Sequence, residues 1–287
     1  MLPRHYPKDE FLENGLTYQK KTIICAIDCA IYTLFCVRKQ QSEKENLDIK
    51  FSMASSIHKI HFLDQMKSTG ILPVFHHTHT TVLFQVLRTL NRGGMSVLEF
   101  KHTRDQRSVR AFAQLIELAS EFPGFTFGAG TVLDAALAHQ YIKAGAQFIS
   151  SPFLHKEVAS ICEDYNVMWM PGCSTRDEVE EAIRLNAKVI NIVQGNVPAL
   201  DVLMQCARDF SDRYFIPSAG IELDKHNVPL LFEAGALCLR MGDSLFHRNN
   251  ILTKDWTRME INFYQTMKNM RRIKHSATVT HDYFVLA

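Results

Sequence analysis

TFGAGTVLDAALAHQYIKAGAQFIS, residues 126–150, decides the fold. It opens on a short apolar run, Thr126–Ala129. An amphipathic helical stretch follows, then the stop Ala144-Gly145-Ala146 and a second apolar run, Gln147–Ser150. A strand, a helix and a strand joined by tight turns is one β/α unit, and the crossover helix makes the two strands parallel.

The same rhythm extends outward from about Ser55. Apolar runs predict strands at Ile71–Phe75, Ser96–Phe100, Thr126–Ala129, Gln147–Ser150, Val167–Met170, Val189–Val193, Tyr214–Pro217 and Leu237–Met241. Four of the helices between them end in GG (93–94), AGA (144–146), LNA (185–187) and AGA (234–236), where glycine or asparagine takes the left-handed conformation that stops a helix. A helix over Ser56–Ser68 precedes the first strand, and another over Lys254–Arg272 follows the last. Eight strands alternating with helices predict an α/β fold, a (β/α)8 TIM barrel with an N-terminal extension and a C-terminal helix. A doubly wound open sheet is the alternative, but no G-x-G-x-x-G follows the first strand.

The expected organisation is an N-terminal extension over residues 1–52, a barrel over 53–250 and a C-terminal helix and tail over 251–287. Within the extension, TIICAIDCAIYTLFCV between Lys21 and Arg38 is apolar except for Asp28. It is shorter than the ~20 apolar residues of a membrane span and lacks a small-residue cleavage site. A buried or loosely attached helix is the plainer reading, an interfacial anchor the sharper one. Arg38–Lys50 reads as a solvated linker, and Met53 is a candidate native start. Composition adds bounds: in 287 residues, 46% hydrophobic and 22% charged, one large core can be buried, as in a soluble globular protein. A net charge of +2 with interspersed signs gives no single-sign field for nucleic acid or an anionic membrane, so small-molecule partners or none are expected. The seven cysteines (25, 29, 36, 162, 173, 206, 238) lack C-x-x-C spacing and read as reduced thiols packed in the interior, as in a cytoplasmic protein.

In such a barrel the chemistry gathers at the C-terminal ends of the strands. Those ends offer His76 and His77, Glu99, Lys101 and Thr103, Gly130 and Thr131, Ser151 and Pro152, Pro171 and Gly172, Asn191, Ser218–Gly220 and Gly242–Ser244. Alternation puts Glu99, Lys101 and Thr103 on the inward side of their strand, where a carboxylate and an amine must pair or do chemistry. A Glu99–Lys101 salt bridge is the bland reading. A desolvated Lys101 with a lowered pKa is the sharp one, because such an amine attacks ketones. His76, His77 and His79 with Glu99 raise a metal site, but adjacent histidines on a continuing strand face opposite ways, so no metal is assigned. A polar loop capped by Thr80 or Thr81 is the simpler reading.

The ordered motifs LPVF (72–75), GGMSVLEF (93–100), GAGTVLD (128–134), AGAQFISSP (144–152), MPGCST (170–175), IPSAGI (216–221) and MGDSLF (241–246) resemble the KDPG/KHG aldolase family over Leu72–Phe246. The resemblance implies a carbon–carbon lyase that cleaves a 2-keto-3-deoxy or 4-hydroxy-2-keto acid to pyruvate and an aldehyde or glyoxylate. It implies no cofactor, a homotrimer and a cytoplasmic location. Glu99 would be the proton shuttle, with Thr131 and Pro152 around the pyruvyl group and Gly172 and Ser174 nearby. The departures are specific. Asn191 stands at the position of the imine lysine, and its amide cannot form a Schiff base. Gln194 stands where proline is expected, and the family's carboxylate-gripping arginine falls at Thr103, with Arg104 next to it. At the phosphate end, Ser218-Ala219-Gly220 replaces Thr-Gly-Gly, Arg240 takes a glycine position and Asp243 a serine position, where a carboxylate would repel phosphate. Three functions follow: a lyase, with Lys101 as a relocated imine lysine; an inactive relative that binds a small keto acid; or a non-imine enzyme using Glu99. Lys188, out of phase with Asn191, is the poorer amine.

Overall fold

A computed structural model of the chain describes residues 59–193, 199–218 and 227–285, with the side chains of Ala199 and of residues beyond 274 excepted. All of these belong to a unit spanning Ser55–Ala287. The expected N-terminal extension, with cysteines 25, 29 and 36, lies outside the described residues, as do Gln194, Ala219 and Gly220.

The elements alternate as the sequence predicts. Helix α1 (59–69) leads into β1 (Ile71–Phe75), α2 (Thr80–Arg92), β2 (Val97–Lys101), α3 (Ser108–Leu118), β3 (Thr126–Gly130), α4 (Ala135–Lys143) and β4 (Phe148–Ser150). Then come α5 (Lys156–Asp164), β5 (Met168–Met170), β6 (Gly172–Cys173), α6 (Arg176–Arg184), β7 (Val189–Val193), α7 (Ala199–Asp209) and β8 (Tyr214–Ser218). Helix α8 (Asn227–Glu233), β9 (Leu239–Met241), α9 (Arg248–Leu252) and α10 (Trp256–Val285) complete the order. Every described strand pairing is parallel, in two ladders ordered β5-β4-β3-β2-β1-β9 and β6-β7-β8. The architecture is a parallel α/β fold of TIM-like type, and its strands are apolar on both faces because helices cover the outer one.

The fifth predicted strand is longer than expected and interrupted at Pro171, which has no N–H to give a ladder. Backbone bonds nevertheless continue on both sides: Gly172 N donates to Ser151 O at 2.9 Å and Asn191 N to Pro171 O at 2.8 Å. Between the ladders' other ends, Leu237 N donates to Phe215 O at 2.8 Å beside a parallel Phe215–Ala236 bridge.

The helix punctuation is local chemistry. Gly94, Gly145, Asn186 and Gly235 have φ of 74°, 104°, 64° and 97°, the left-handed conformation that ends a helix, at all four stops read from the sequence. Asp134 caps α4 by accepting from Leu137 N at 2.8 Å, and Thr175 with Glu178 forms a capping box on α6. Helix α2 departs from expectation: its N-cap residue is His79, which makes no side-chain cap bond, and Thr80 and Thr81 lie inside the helix.

Helix α10 is longer than the expected Lys254–Arg272 and belongs to the core. Its Met259, Phe263, Met267 and Met270 are buried, and Phe263 lies so close over Gly93 that a Cβ there would stand 2.2 Å from the ring. Lys274 Nζ donates to Met66 O at the end of α1, 3.2 Å, and to Leu237 O ahead of β9, 2.5 Å. The amine thus ties α10 to the N-terminal side of the sheet, opposite to where the predicted site residues gather.

Candidate functional site

Glu99 sits in the middle of β2, in register with Val74 of β1 and Gly128 of β3, and is fully buried. It fits because Gly130 has no side chain: a Cβ there would stand 1.7 Å from Glu99 Oε1. A lone carboxylate in that position would be prohibitively desolvated. Its counter-ion is Arg240 of β9, whose guanidinium pairs with Oε1, while Oε2 has no partner. Burial pushes the Glu99 carboxyl above the ordinary carboxylate value, against the pull of the Arg240 guanidinium and, more weakly, of Lys101.

From this pair a polar chain crosses the interior. Arg240 Nη1 donates to Ser150 Oγ at 3.4 Å, and Asn191 Nδ2 donates to the same oxygen at 3.1 Å and to Met170 O at 3.0 Å. Ser218 Oγ donates to Asn191 Oδ1 at 3.4 Å. Residues of β2, β4, β7, β8 and β9 are thereby joined through side chains, with Asn191 1% exposed at the network's centre. Both ends of its amide are spent on hydrogen bonds within the strands.

Above the network opens a cavity of about 890 Å³ at the C-terminal strand ends, walled among others by His76, Lys101, Thr103, Thr131, Arg240 and Asp243. Thr131 holds a φ of 61°, an unfavourable conformation for a β-branched residue and one found where backbone strain serves a site. His76 lies against Phe100, and burial lowers its pKa, as it does for His77. Both imidazoles line the cavity, contrary to the alternation argument, because β1 ends at Phe75 before either histidine. His77 Nδ1 accepts from His79 N at 3.0 Å. Among the described residues no group of three or more histidine, cysteine or carboxylate side chains is placed to hold a metal ion.

The family model described as KDPG and KHG aldolase matches residues 63–261. The chain belongs to the KDPG/KHG aldolase family. Among relatives, it is 26% identical over 166 residues to the 2-dehydro-3-deoxy-phosphogluconate aldolase of Treponema pallidum, covering 58% of this chain and 77% of that one. It is 30% identical over 163 residues to the KHG/KDPG aldolase of Escherichia coli, covering 55% and 73%. A solved 4-hydroxy-2-oxoglutarate/2-dehydro-3-deoxyphosphogluconate aldolase superposes with a TM-score of 0.59 at 25% identity, over 73% of this chain and 98% of that one. The Legionella pneumophila KDPG aldolase, solved with pyruvate as a covalent carbinolamine, gives 0.59 at 21% identity over 70% and 96%.

Within this aldolase family member, the expected site residues separate into three groups. Lys101, Thr131, Pro152, Ser218, Gly242 and Asp243 line the cavity. Glu99 and Asn191 lie in the network beneath it. Arg104, Gly172 and Ser174 are not among the described residues of the cavity wall. Arg104 is exposed. Gly172 is buried against the Pro152 carbonyl, where a Cβ would stand 2.1 Å from the oxygen, and Ser174 N donates to Glu178 Oε2 at 2.6 Å in the cap of α6. Two details differ from expectation. Lys101 is exposed rather than desolvated, because β2 ends there and the side chain reaches the open cavity. Glu99 pairs with Arg240 rather than with Lys101. Reading Arg240 only as a substituted glycine missed this partner. The available signal was its phase: in LCLRM, Arg240 shares a facing with Cys238, an inward charge that must find a counter-ion.

Proposed function

We propose that this chain is a member of the aldolase family that binds a small, non-phosphorylated 2-oxo acid in the cavity above Glu99 and Asn191, without imine chemistry on strand β7. The observation that carries the proposal is the state of Asn191, buried, non-nucleophilic and hydrogen-bonded to Ser150 and Met170, at the position where the sequence resemblance puts the family's imine lysine. The fold we assign is a closed (β/α)8 barrel, with β5 and β6 forming one strand and the Leu237–Phe215 bond completing the ring. Asp243 on the cavity wall favours a ligand without a phosphate, since a carboxylate beside a phosphate site opposes the dianion. Cytoplasmic residence accords with the buried free thiols of Cys162, Cys173, Cys206 and Cys238. Homotrimeric assembly is carried by family membership alone, and the division into residues 1–52, 53–250 and 251–287 by the sequence pattern alone.

One observation favours a second reading, a carbon–carbon lyase. Lys101 is the single lysine among the described residues lining the cavity, and an amine there is within the space that a bound ketone would occupy. The lyase reaction would then run through an imine on β2, with Glu99 as proton shuttle.

Pyruvate with borohydride, followed by intact and peptide mass, separates the two. Ligand-observed NMR showing pyruvate binding, with no reduced adduct and no cleavage of 4-hydroxy-2-oxoglutarate, is the expected result. A pyruvyl adduct on Lys101 that disappears in Lys101→Met, together with glyoxylate release, would overturn the first reading in favour of the lyase.

A further inference from the structure

Carboxylate binding in this cavity needs a cation, and three line it, Lys101, Arg248 and Arg240, of which Arg240 alone reaches the buried Glu99 by an ion pair. The arginine sought beside β2 is not on the wall, since Arg104 is exposed elsewhere and Thr103 bonds Ser108 at 3.0 Å and His76 at 3.4 Å. Arg240 enters the same space from β9, two strands from β2 in the sheet order. It both lines the cavity and pairs with Glu99, and its side chain is 21% exposed while that of Glu99 is 0% exposed. The guanidinium has five N–H donors, of which the structure engages one group on Glu99 Oε1 and one, at 3.4 Å, on Ser150. Glu99 Oε2 is buried without a partner.

We propose that Arg240 is the specificity-determining residue that receives the ligand's carboxylate, and that Glu99 is the internal counter-ion the ligand displaces from part of the guanidinium. The proposal deepens the 2-oxo-acid reading and rests on it only for the identity of the ligand. Two carboxylates on one guanidinium, one of them fully buried, cannot both stay ionised cheaply. Binding therefore raises the proton affinity of Glu99, and the ligand brings a proton in with it wherever the free Glu99 is ionised. The groups facing Glu99 are few: Arg240 and the Cys238 thiol from β9 and Lys101 from its own strand, while Val74 of β1, Gly128 and Gly130 of β3 and Ser150 of β4 bring no titratable side chain. Burial pushes the Cys238 thiol up to about 12, so it stays protonated through the working range. Affinity is then fully present below the ligand-free pKa of Glu99 and falls as pH rises through its ligand-bound pKa.

The test uses the full chain and two probes, pyruvate and propionate, the second lacking the oxo group. Their affinities are measured by ligand-observed NMR across pH, and proton uptake by calorimetry in buffers of different ionisation heat. Three chains are compared: wild type, Glu99→Gln and the double substitution Glu99→Gln/Arg240→Met, which leaves no buried charge uncompensated. Glu99→Gln is expected to bind both probes roughly tenfold tighter at high pH and to lose the pH dependence and the proton uptake, a gain that a damaged fold would not give. The double variant is expected to bind roughly tenfold to hundredfold more weakly than Glu99→Gln. If propionate follows this pattern while pyruvate binds no better, the 2-oxo-acid reading fails and the role of Arg240 stands. If the double variant binds as tightly as Glu99→Gln, or if Glu99→Gln binds neither probe, the role of Arg240 is overturned whatever pyruvate does in the wild type.

Discussion

Arg240→Met is the substitution that most directly weighs the interior of this protein. Methionine keeps much of the volume and the apolar stem but removes the charge opposite Glu99, which is fully buried and has a second oxygen without a partner. Removing one member of a buried ion pair typically costs about 3–5 kcal/mol, because the other charge remains in low dielectric. The loss is pH-dependent with a definite sign. Burial already raises Glu99 above its unfolded value, and the substitution deletes the two largest opposing influences, both from Arg240. The folded-state pKa therefore rises further. Stability is retained at pH below the unfolded carboxylate value of about 4.3 and declines as pH climbs through the folded value. Urea unfolding followed by Trp169 and Trp256 fluorescence at several pH values reads this directly. Around pH 7–8 the expected deficit of about 3–5 kcal/mol corresponds to roughly 6–20 °C in Tm for a domain of this size, and it narrows toward pH 4.5. Adding Glu99→Gln should restore most of it. A pH-independent deficit under about 1 kcal/mol would falsify the reasoning, since the pair would then carry no buried-charge penalty.

Three further substitutions probe the frame around the site. Gly172→Ala would put a Cβ 2.1 Å from the Pro152 carbonyl oxygen, a backbone atom with little room to yield, so a loss of about 3 kcal/mol or more by urea titration is expected. Phe263→Ala removes a 1%-exposed ring from the contact of α10 with Gly93 and Phe246 and should cost about 3–5 kcal/mol; a value under 1 would mean that α10 is not part of the core. Thr131→Gly relieves the φ of 61° and is expected to stabilise the fold by a few tenths to about 1 kcal/mol while weakening pyruvate binding, and stabilisation without a change in binding would remove Thr131 from the site.

Much of the fold was legible because its signals are local. Continuous apolar runs mark strands covered on both faces, and each of the four helix stops read from the sequence has a left-handed residue. Two features exceeded local reading. Pro171 suggests a strand end, yet its carbonyl still accepts from Asn191 N, so pairing passes through a residue that cannot donate. The sequence pattern places the end of the last helix at Arg272, yet α10 continues to Val285, and Lys274 is anchored on carbonyls of α1 and of the segment before β9.

The site was legible in its inward-facing carboxylate and opaque in that carboxylate's partner, for a physical reason. Alternation along β2 assigns Glu99 a direction, and the nearest candidate cation in sequence is Lys101. But a strand end is the wettest point of a parallel sheet, so Lys101 reaches water in the open cavity, whereas a charge in the middle of another strand has no such escape and must be neutralised where it lies. Arg240 is such a charge, 141 residues from Glu99 and separated from β2 by β1 alone in the sheet order. Arg240 of β9 and Asn191 of β7, two departures from the family pattern that read as independent in the sequence resemblance, meet at Ser150 Oγ, to which both side chains donate. An amine at position 191 would stand in the same network as the Arg240 guanidinium, and the two cations would compete for one buried carboxylate. The neutral amide at 191 is thus the electrostatic counterpart of the arginine at 240, and reintroducing lysine there should be tolerated only when Arg240 is also removed: Asn191→Lys alone is expected to lower Tm, and Asn191→Lys/Arg240→Gly to recover part of the loss. Equal losses in the single and double variants would separate the two positions and leave the asparagine without an electrostatic reason.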